Sequence, residues 1–242
     1  MSAEAQSTAA AVADLSRAGS VCAIATAAIY LIGFIILIGW LAPAGYADGN
    51  ANLQEQVQLI VDNRIGLSLW YLLVYCLNGV LLIVLATALY YRFRPLAPGL
   101  ALLSLIFGVV WAGLLLAAGL VASVGVTTVA DFCRSSSAGC GEAWQAIQIV
   151  VNGLGGGNEI TGAIWLLLVA AAGLRDASLP PSLIGLSGLL GLTGAVSAWP
   201  GLGEICGVIF GLGCIAWFVW IGLLLARALR TRLPSVPIPG RS

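Results

Sequence analysis

The chain has 242 residues, of which 60% are hydrophobic and only 8% are charged, and its mean hydropathy is +1.04. Soluble domains carry about 25% charged residues, so this composition predicts a polytopic membrane protein. Ten basic residues balance ten acidic ones, and this neutrality argues against a nucleic-acid partner. The chain has no histidine, which removes the commonest metal ligand and the usual general base, so we expect no cofactor and no metal site.

Six apolar runs approach the length of about 20 residues that a membrane-spanning helix needs. They cover residues 20–42, 66–90, 98–124, 157–174, 182–199 and 205–226. The sequence therefore predicts an all-α fold, with six transmembrane helices paired in three hairpins. This single domain, residues 20–232, lies between a small polar tail at 1–19, which we expect to be frayed, and a proline-rich tail at 233–242.

The arginines indicate the orientation of these spans in the bilayer. Only Arg64 and Arg134 fall on one side, whereas the other eight arginines fall on the opposite side: Arg17, Arg92, Arg94, Arg175, Arg227, Arg230, Arg232 and Arg241. Because cytoplasmic loops carry the excess of positive charge, both termini are predicted to be cytoplasmic. We expect a multi-pass protein of the bacterial inner (plasma) membrane.

The two outer links between spans each contain a pattern typical of an amphipathic helix. Apolar residues recur at helical spacing in 50–64 and again in 141–152, which predicts two interfacial helices on the outer side. Cys133 and Cys140 lie in the same outer region, where disulfides persist. Their spacing permits a bridge and does not fit a zinc pattern, so we predict a disulfide, with two free thiols as the alternative.

Glycines in the last two spans predict close helix packing. The sixth span has Gly203, Gly207 and Gly211 at every fourth position, and the fifth has glycine at every third position, including Gly188 and Gly191. Helices in lipid associate through close backbone contact, which small residues allow. We expect spans five and six to pack as a pair through these glycines, and the alternative is an oligomer interface.

Glu159 is an acid that the hydrophobic pattern places inside the membrane, where a lone carboxyl is costly and suggests a function. It follows a glycine-rich stretch, 153–157, which predicts a break before the fourth span. Asn158 is then expected to cap that span, with Glu159 in the first turn, where a negative charge is favourable. That position is also a purely structural explanation for the acid.

A depth estimate brings further polar groups to the level of Glu159. At 1.5 Å per residue from the inner boundary, Glu159 lies ~24 Å up, Asn78 ~21 Å and Tyr30 ~20 Å, with Trp111 at a similar height. Together with Asn158, these side chains predict a ligand site. The alternative is that they hydrogen-bond between helices as packing contacts, with Glu159 protonated. Arg64 and Arg134 are the only candidates for a cationic partner.

Two segments resemble a known family. GGNEITGAIW at 156–165 and FGLGCIAWFVW at 210–220, with Arg17 and the YLI run at 30–32, are similar to a bacterial family of small six-helix membrane proteins of unknown function. The resemblance covers about residues 15 to 230. It implies a membrane protein without known catalytic residues and adds no activity.

Three classes of function remain. We expect binding or transport of a small or lipidic molecule in an outward-facing cavity near Glu159. The alternative is a non-catalytic accessory subunit, packed against other membrane subunits or a second copy of the chain. An intramembrane enzyme is the weakest, because the chain lacks a histidine, a pair of membrane aspartates and a nucleophile beside a base.

Overall fold

The computed structural model describes residues 3–46, 53–135, 138–156, 159–199 and 201–230. Within these ranges all regular secondary structure is helical, which confirms the all-α prediction. Eight α-helices follow one another along the chain: α1 (Ala3–Ile36), α2 (Leu53–Tyr71), α3 (Asn78–Phe93), α4 (Pro98–Ser135), α5 (Cys140–Val151), α6 (Ile160–Gly173), α7 (Pro181–Val196) and α8 (Gly203–Arg230).

Among the described residues, five helical stretches are long and apolar enough to cross a membrane, and α7 is a shorter apolar helix. The five are Ala10–Leu41, Gln54–Phe93, Pro98–Ser135, Cys140–Gly173 and Ile205–Ala228. Several long apolar helices of this kind are compatible with a multi-pass membrane protein. The first helix begins at Ala3, so the segment that we expected to be a frayed tail is largely helical.

Three π-helical segments interrupt the helices, at Leu37–Leu41, Leu72–Leu77 and Asn152–Gly156. A π-helix widens the helix by one residue per turn and often occurs at a functional site. The last segment contains Gly155 at φ +110°, a conformation that side-chain-bearing residues rarely adopt. The break predicted in the glycine-rich stretch is thus confirmed at Gly155.

The helices pack around α1 and α4. Helix α1 lies against α3 and α8, and α4 lies against α2, α3 and α6, while α7 bridges α6 and α8. The interior is strongly aromatic: Trp165 is fully buried between Trp111 and Trp217, at ring-centroid distances of 5.6 Å and 5.3 Å. The Trp217 indole N–H donates to the Ser187 hydroxyl at 2.7 Å.

The glycines that were predicted to join the last two spans have other neighbours than expected. A Cβ at Gly191 would lie 2.5 Å from Leu167 of α6, and one at Gly211 would lie 2.7 Å from Phe34 of α1. A Cβ at Gly203 would lie 2.8 Å from the Ser197 carbonyl oxygen. Gly188 and Gly207 face open space, so they do not join helices within the described chain.

Helices α7 and α8 do pack together, through Gly194, which belongs to the predicted row of glycines at every third position, and through Gly213, which does not. A Cβ at Gly194 of α7 would lie 2.8 Å from Phe210 of α8, and Gly213 of α8 lies directly against Leu190 of α7. The glycine spacing showed that close approach was possible and not which neighbour each glycine meets. That choice depends on the rotation of each helix about its own axis.

The two expected amphipathic segments are both helical, but their apolar faces are covered by protein. Ile60 of α2 and Trp144 of α5 are buried in a cluster with Ala122 and Val126 of α4. Helix α2 runs on towards the next segment with a kink at Asn63 (φ −120°, ψ 23°). At the start of α5, Cys140 forms the predicted disulfide with Cys133, with their Cα atoms 5.7 Å apart.

Candidate functional site

A cavity of about 150 Å³ lies between α1, the kinked α2–α3 helix, α4 and the start of α6. Three of the predicted site residues, Tyr30, Asn78 and Glu159, contribute to its wall. The full lining is Tyr30, Gly33, Phe34, Leu37, Trp70, Val74, Tyr75, Asn78, Leu115, Gly155 and Glu159. Residues from three helices that are distant in sequence therefore meet at one site.

Each of the three π-helical segments supplies part of this wall. Leu37 comes from the first, Val74 and Tyr75 from the second, and Gly155 from the third. A π segment shifts the side-chain register of its helix, so it can turn residues toward a space that a regular helix would leave to other side chains. The three π-helical segments of the described chain thus all border one cavity.

Glu159 is held at the beginning of α6. It occupies the N-cap position (φ −110°, ψ 21°), and its carbonyl oxygen accepts the N–H of Ala163 at 2.8 Å. Its own N–H donates to the Ser197 hydroxyl at 3.1 Å, while that hydroxyl donates to the Gly194 carbonyl at 2.6 Å. The expectation that Glu159 lies in the first turn is corrected by one position, and Asn158 lies outside the described residues.

Two buried polar atoms on lining residues have no hydrogen-bond partner among the described residues. They are Oδ1 of Asn78, a residue that is only 3% exposed, and the indole Nε1 of Trp70. A buried polar group without a partner is costly. Neither atom has accessible surface, so both lie beneath the surface of the cavity and are not open to it.

Trp111 is not part of this site. It is 1% exposed and packs with Trp165 and with Phe210, whose ring centroid lies 6.2 Å from its own. The depth estimate carried no information about the direction in which the side chain faces. Trp111 faces the aromatic interior, and its predicted role at the site is not supported by its position.

The two arginines considered as partners of Glu159 are engaged elsewhere. Arg64 Nη1 lies 2.9 Å from Asp131 Oδ1, and Arg134 Nη1 lies 3.7 Å from the same oxygen. No salt bridge among the described residues involves Glu159. The cavity wall therefore presents a carboxyl without a cationic neighbour from this part of the chain.

A second acid, Asp176, follows the C-terminal end of α6. Unlike Glu159, it is paired with an arginine of the described chain. Its carboxylate accepts from Arg92 Nε at 2.9 Å and from the N–H and hydroxyl of Ser178 at 3.0 and 2.6 Å. Partial burial alone would raise the pKa of Asp176, but the Ser178 hydrogen bonds and the Arg92 charge outweigh it, so this pKa lies below its usual value.

Asp176 and Arg92 also line a larger cavity of about 620 Å³ at their end of the bundle. Ser16 of α1 and Arg227 of α8 complete its polar wall. In the sequence these arginines indicated only the orientation of the spans, and no pattern predicted that Asp176 would pair with Arg92.

Sequence reasoning also missed several residues of the Glu159 cavity. Phe34, Trp70 and Tyr75 supply ring surfaces to its wall, and Trp70 packs edge-on against Tyr75 at 6.4 Å. The aromatic spacing at 70, 71 and 75 was the available signal, but the π segment at Leu72–Leu77 decides which of these rings faces the cavity. No protein-family model, curated protein or solved structure matches this chain.

Proposed function

We propose that this chain is a multi-pass membrane protein that binds or transports a small molecule in the cavity beside Glu159. The observation that carries the proposal is the wall of this cavity. The Glu159 carboxyl, which forms no salt bridge with a described residue, lies there among aromatic side chains, and the three π segments of the described chain border it. Binding sites are mostly apolar concave spaces with a few convergent polar groups, and this cavity has that character.

The proposal includes six spans in three hairpins, with both termini in the cytoplasm of a bacterial cell and the Cys133–Cys140 loop outside. The arginine distribution supports this orientation. The fourth span would then consist of α5, the π segment and α6, with Glu159 below the outer boundary and reached from the outer side. Asp176 and its larger cavity would face the cytoplasm.

Cysteine accessibility in intact cells tests this orientation. Ala138→Cys and Ala177→Cys place a thiol at exposed positions on opposite sides of the proposed membrane. A membrane-impermeant maleimide should label Ala138→Cys in intact cells and Ala177→Cys only after lysis. The reverse pattern would invert the topology, and labelling of both in intact cells would exclude it.

Native mass spectrometry of the protein in detergent tests the binding itself. We expect a bound small molecule on the wild-type chain that is absent from Glu159→Gln, because removal of the charge leaves the cavity without its strongest polar contact. Glu142→Gln is the matched control, since the same change is made at an exposed position on α5. Loss of the molecule from both variants would remove Glu159 from the proposal.

The alternative function, a non-catalytic accessory subunit, has its own outcome in this experiment. If the wild-type chain carries no small molecule and co-purifies in a fixed ratio with another membrane protein, the binding proposal fails. The two functions therefore predict different masses for the intact native particle.

A further inference from the structure

We infer that the ligand of the Glu159 cavity is a small organic cation that carries N–H donors, such as a primary amine. This inference rests on the proposed function, because it names the chemical class that the same cavity would take. It depends on three features of the wall: its charge, its hydrogen-bonding atoms and its ring surfaces.

The charge of the wall is negative or neutral and never positive within the described residues. Glu159 is the only ionisable carboxyl among the lining residues, and the lining contains no arginine. Arg64 and Arg134 pair with Asp131, and Arg92 pairs with Asp176. A buried carboxylate needs a counter-charge, so a cationic ligand would supply what the described chain does not.

The Glu159 carboxyl also favours a ligand with N–H donors. An ionised carboxyl is only an acceptor of hydrogen bonds. An ammonium group has three N–H donors and no acceptor, so it matches the Glu159 oxygens at the wall.

Aromatic rings form much of the remaining surface. Tyr30, Phe34, Trp70 and Tyr75 all line the cavity, and the faces of such rings attract cations, most strongly when water is excluded. An anionic ligand would meet both the Glu159 carboxyl and the negative faces of these rings. The ring surfaces and the carboxyl therefore both favour a positively charged ligand.

The volume of the cavity limits the size of the ligand. About 150 Å³ is the size of an apolar cavity that holds one benzene molecule, so a ligand of about six to eight heavy atoms would fill it. Short alkylamines and amino alcohols meet this limit. A lipid would insert only its head group.

Three probes with one alkyl chain separate the effect of charge from the effect of shape. Butylammonium, 1-butanol and butyrate are titrated into the purified protein in detergent micelles, with protein-free micelles as the blank, and heats of binding are measured at neutral pH. We expect butylammonium to bind at least about tenfold more tightly than butanol and butyrate not to bind. Glu159→Gln should reduce butylammonium to the affinity of butanol.

Two control variants keep this test decisive. Glu159→Asp retains the charge and should retain the preference for butylammonium, whereas Glu142→Gln should bind as the wild type does. Equal binding of butanol and butylammonium, preferred binding of butyrate, or binding of none of the three would overturn the inference. If the native ligand found by mass spectrometry is neutral or anionic and Glu159→Gln releases it, the proposed function stands and the cation inference alone fails.

Discussion

Glu159 and Asp176 lie at the two ends of α6, and their surroundings are opposite. Asp176 has an arginine at 2.9 Å and two hydrogen bonds from Ser178, so its charge is fully accounted for by the chain. Glu159 faces a cavity and forms no salt bridge within the described ranges. The comparison teaches that an acid in an apolar protein indicates a binding site only when no neighbour satisfies it.

The largest expected loss of stability comes from removing Asp176, the acid that is paired with Arg92. Asp176→Ala leaves Arg92, whose side chain is only 17% exposed, without its partner. Breaking a buried ion pair from one side costs about 3 kcal/mol, so the variant should unfold at a clearly lower temperature in detergent. Thermal unfolding followed by tryptophan fluorescence measures this loss. The double variant Arg92→Met, Asp176→Leu should regain most of it, and a double variant as unstable as the single one would contradict the ion-pair explanation.

The pH dependence of stability should come from Asp176, at the same end of α6. The pKa of Asp176 is lower in the folded protein than its usual value of about 3.9, so its contribution to stability is complete above that pH. That contribution is lost as the pH falls through the lower folded-state pKa. Unfolding temperatures measured from pH 7 to pH 3 should therefore fall more for the wild type than for Asp176→Asn. Parallel curves would show that Asp176 does not contribute.

A change in α7 at a position that faces the middle of α6 should disturb the packing of these two helices. A Cβ at Gly191 would lie 2.5 Å from the Leu167 side chain and 3.0 Å from the Ala163 carbonyl oxygen, both on α6. Gly191→Ala should therefore cost about 1 to 2 kcal/mol, because overpacking forces the helices apart. Gly188→Ala, one turn earlier and facing open space, is the control and should be neutral or slightly stabilising. Equal effects at both positions would contradict the packing of α7 on α6.

The hydrogen bond that positions Glu159 should have a smaller effect. Ser197→Ala removes the acceptor of the Glu159 N–H and should cost about 1 kcal/mol. The same variant should weaken ligand binding, since the carboxyl would lose its fixed position at the start of α6. Ser16→Ala, in the other cavity, is the control for binding. Unchanged ligand affinity in Ser197→Ala would show that this hydrogen bond does not position the site.

The smallest expected effect on stability is at the unsatisfied acid itself. Glu159→Gln removes a charge that no described residue compensates, so the unfolding temperature of the ligand-free protein should stay the same or rise. The loss of ligand should nevertheless be complete. If Glu159→Gln destabilises the chain as much as Asp176→Ala does, the acid has a structural role and the contrast between the two ends disappears.

Much of the helical organisation was predictable, because hydrophobic length alone shows where an apolar helix can form. The glycine break before α6 and the proximity of Cys133 and Cys140 also followed from local pattern. The site was predicted in part: Glu159, Asn78 and Tyr30 do share one cavity, since equal depth along neighbouring helices brings them to one level. Trp111 faces the aromatic interior instead and does not line the cavity.

The sequence by itself determined the helical class and the apolar stretches, because these depend on composition and on the length of hydrophobic runs. Only the tertiary structure decided the direction in which each residue faces. The rotation of each helix turned Gly191 toward α6 and Trp111 toward the core, and the π segments turned Tyr75 and Gly155 toward the cavity. Rotation results from the packing of all the helices together, so Glu159 could be singled out from the sequence while its unpaired state could not.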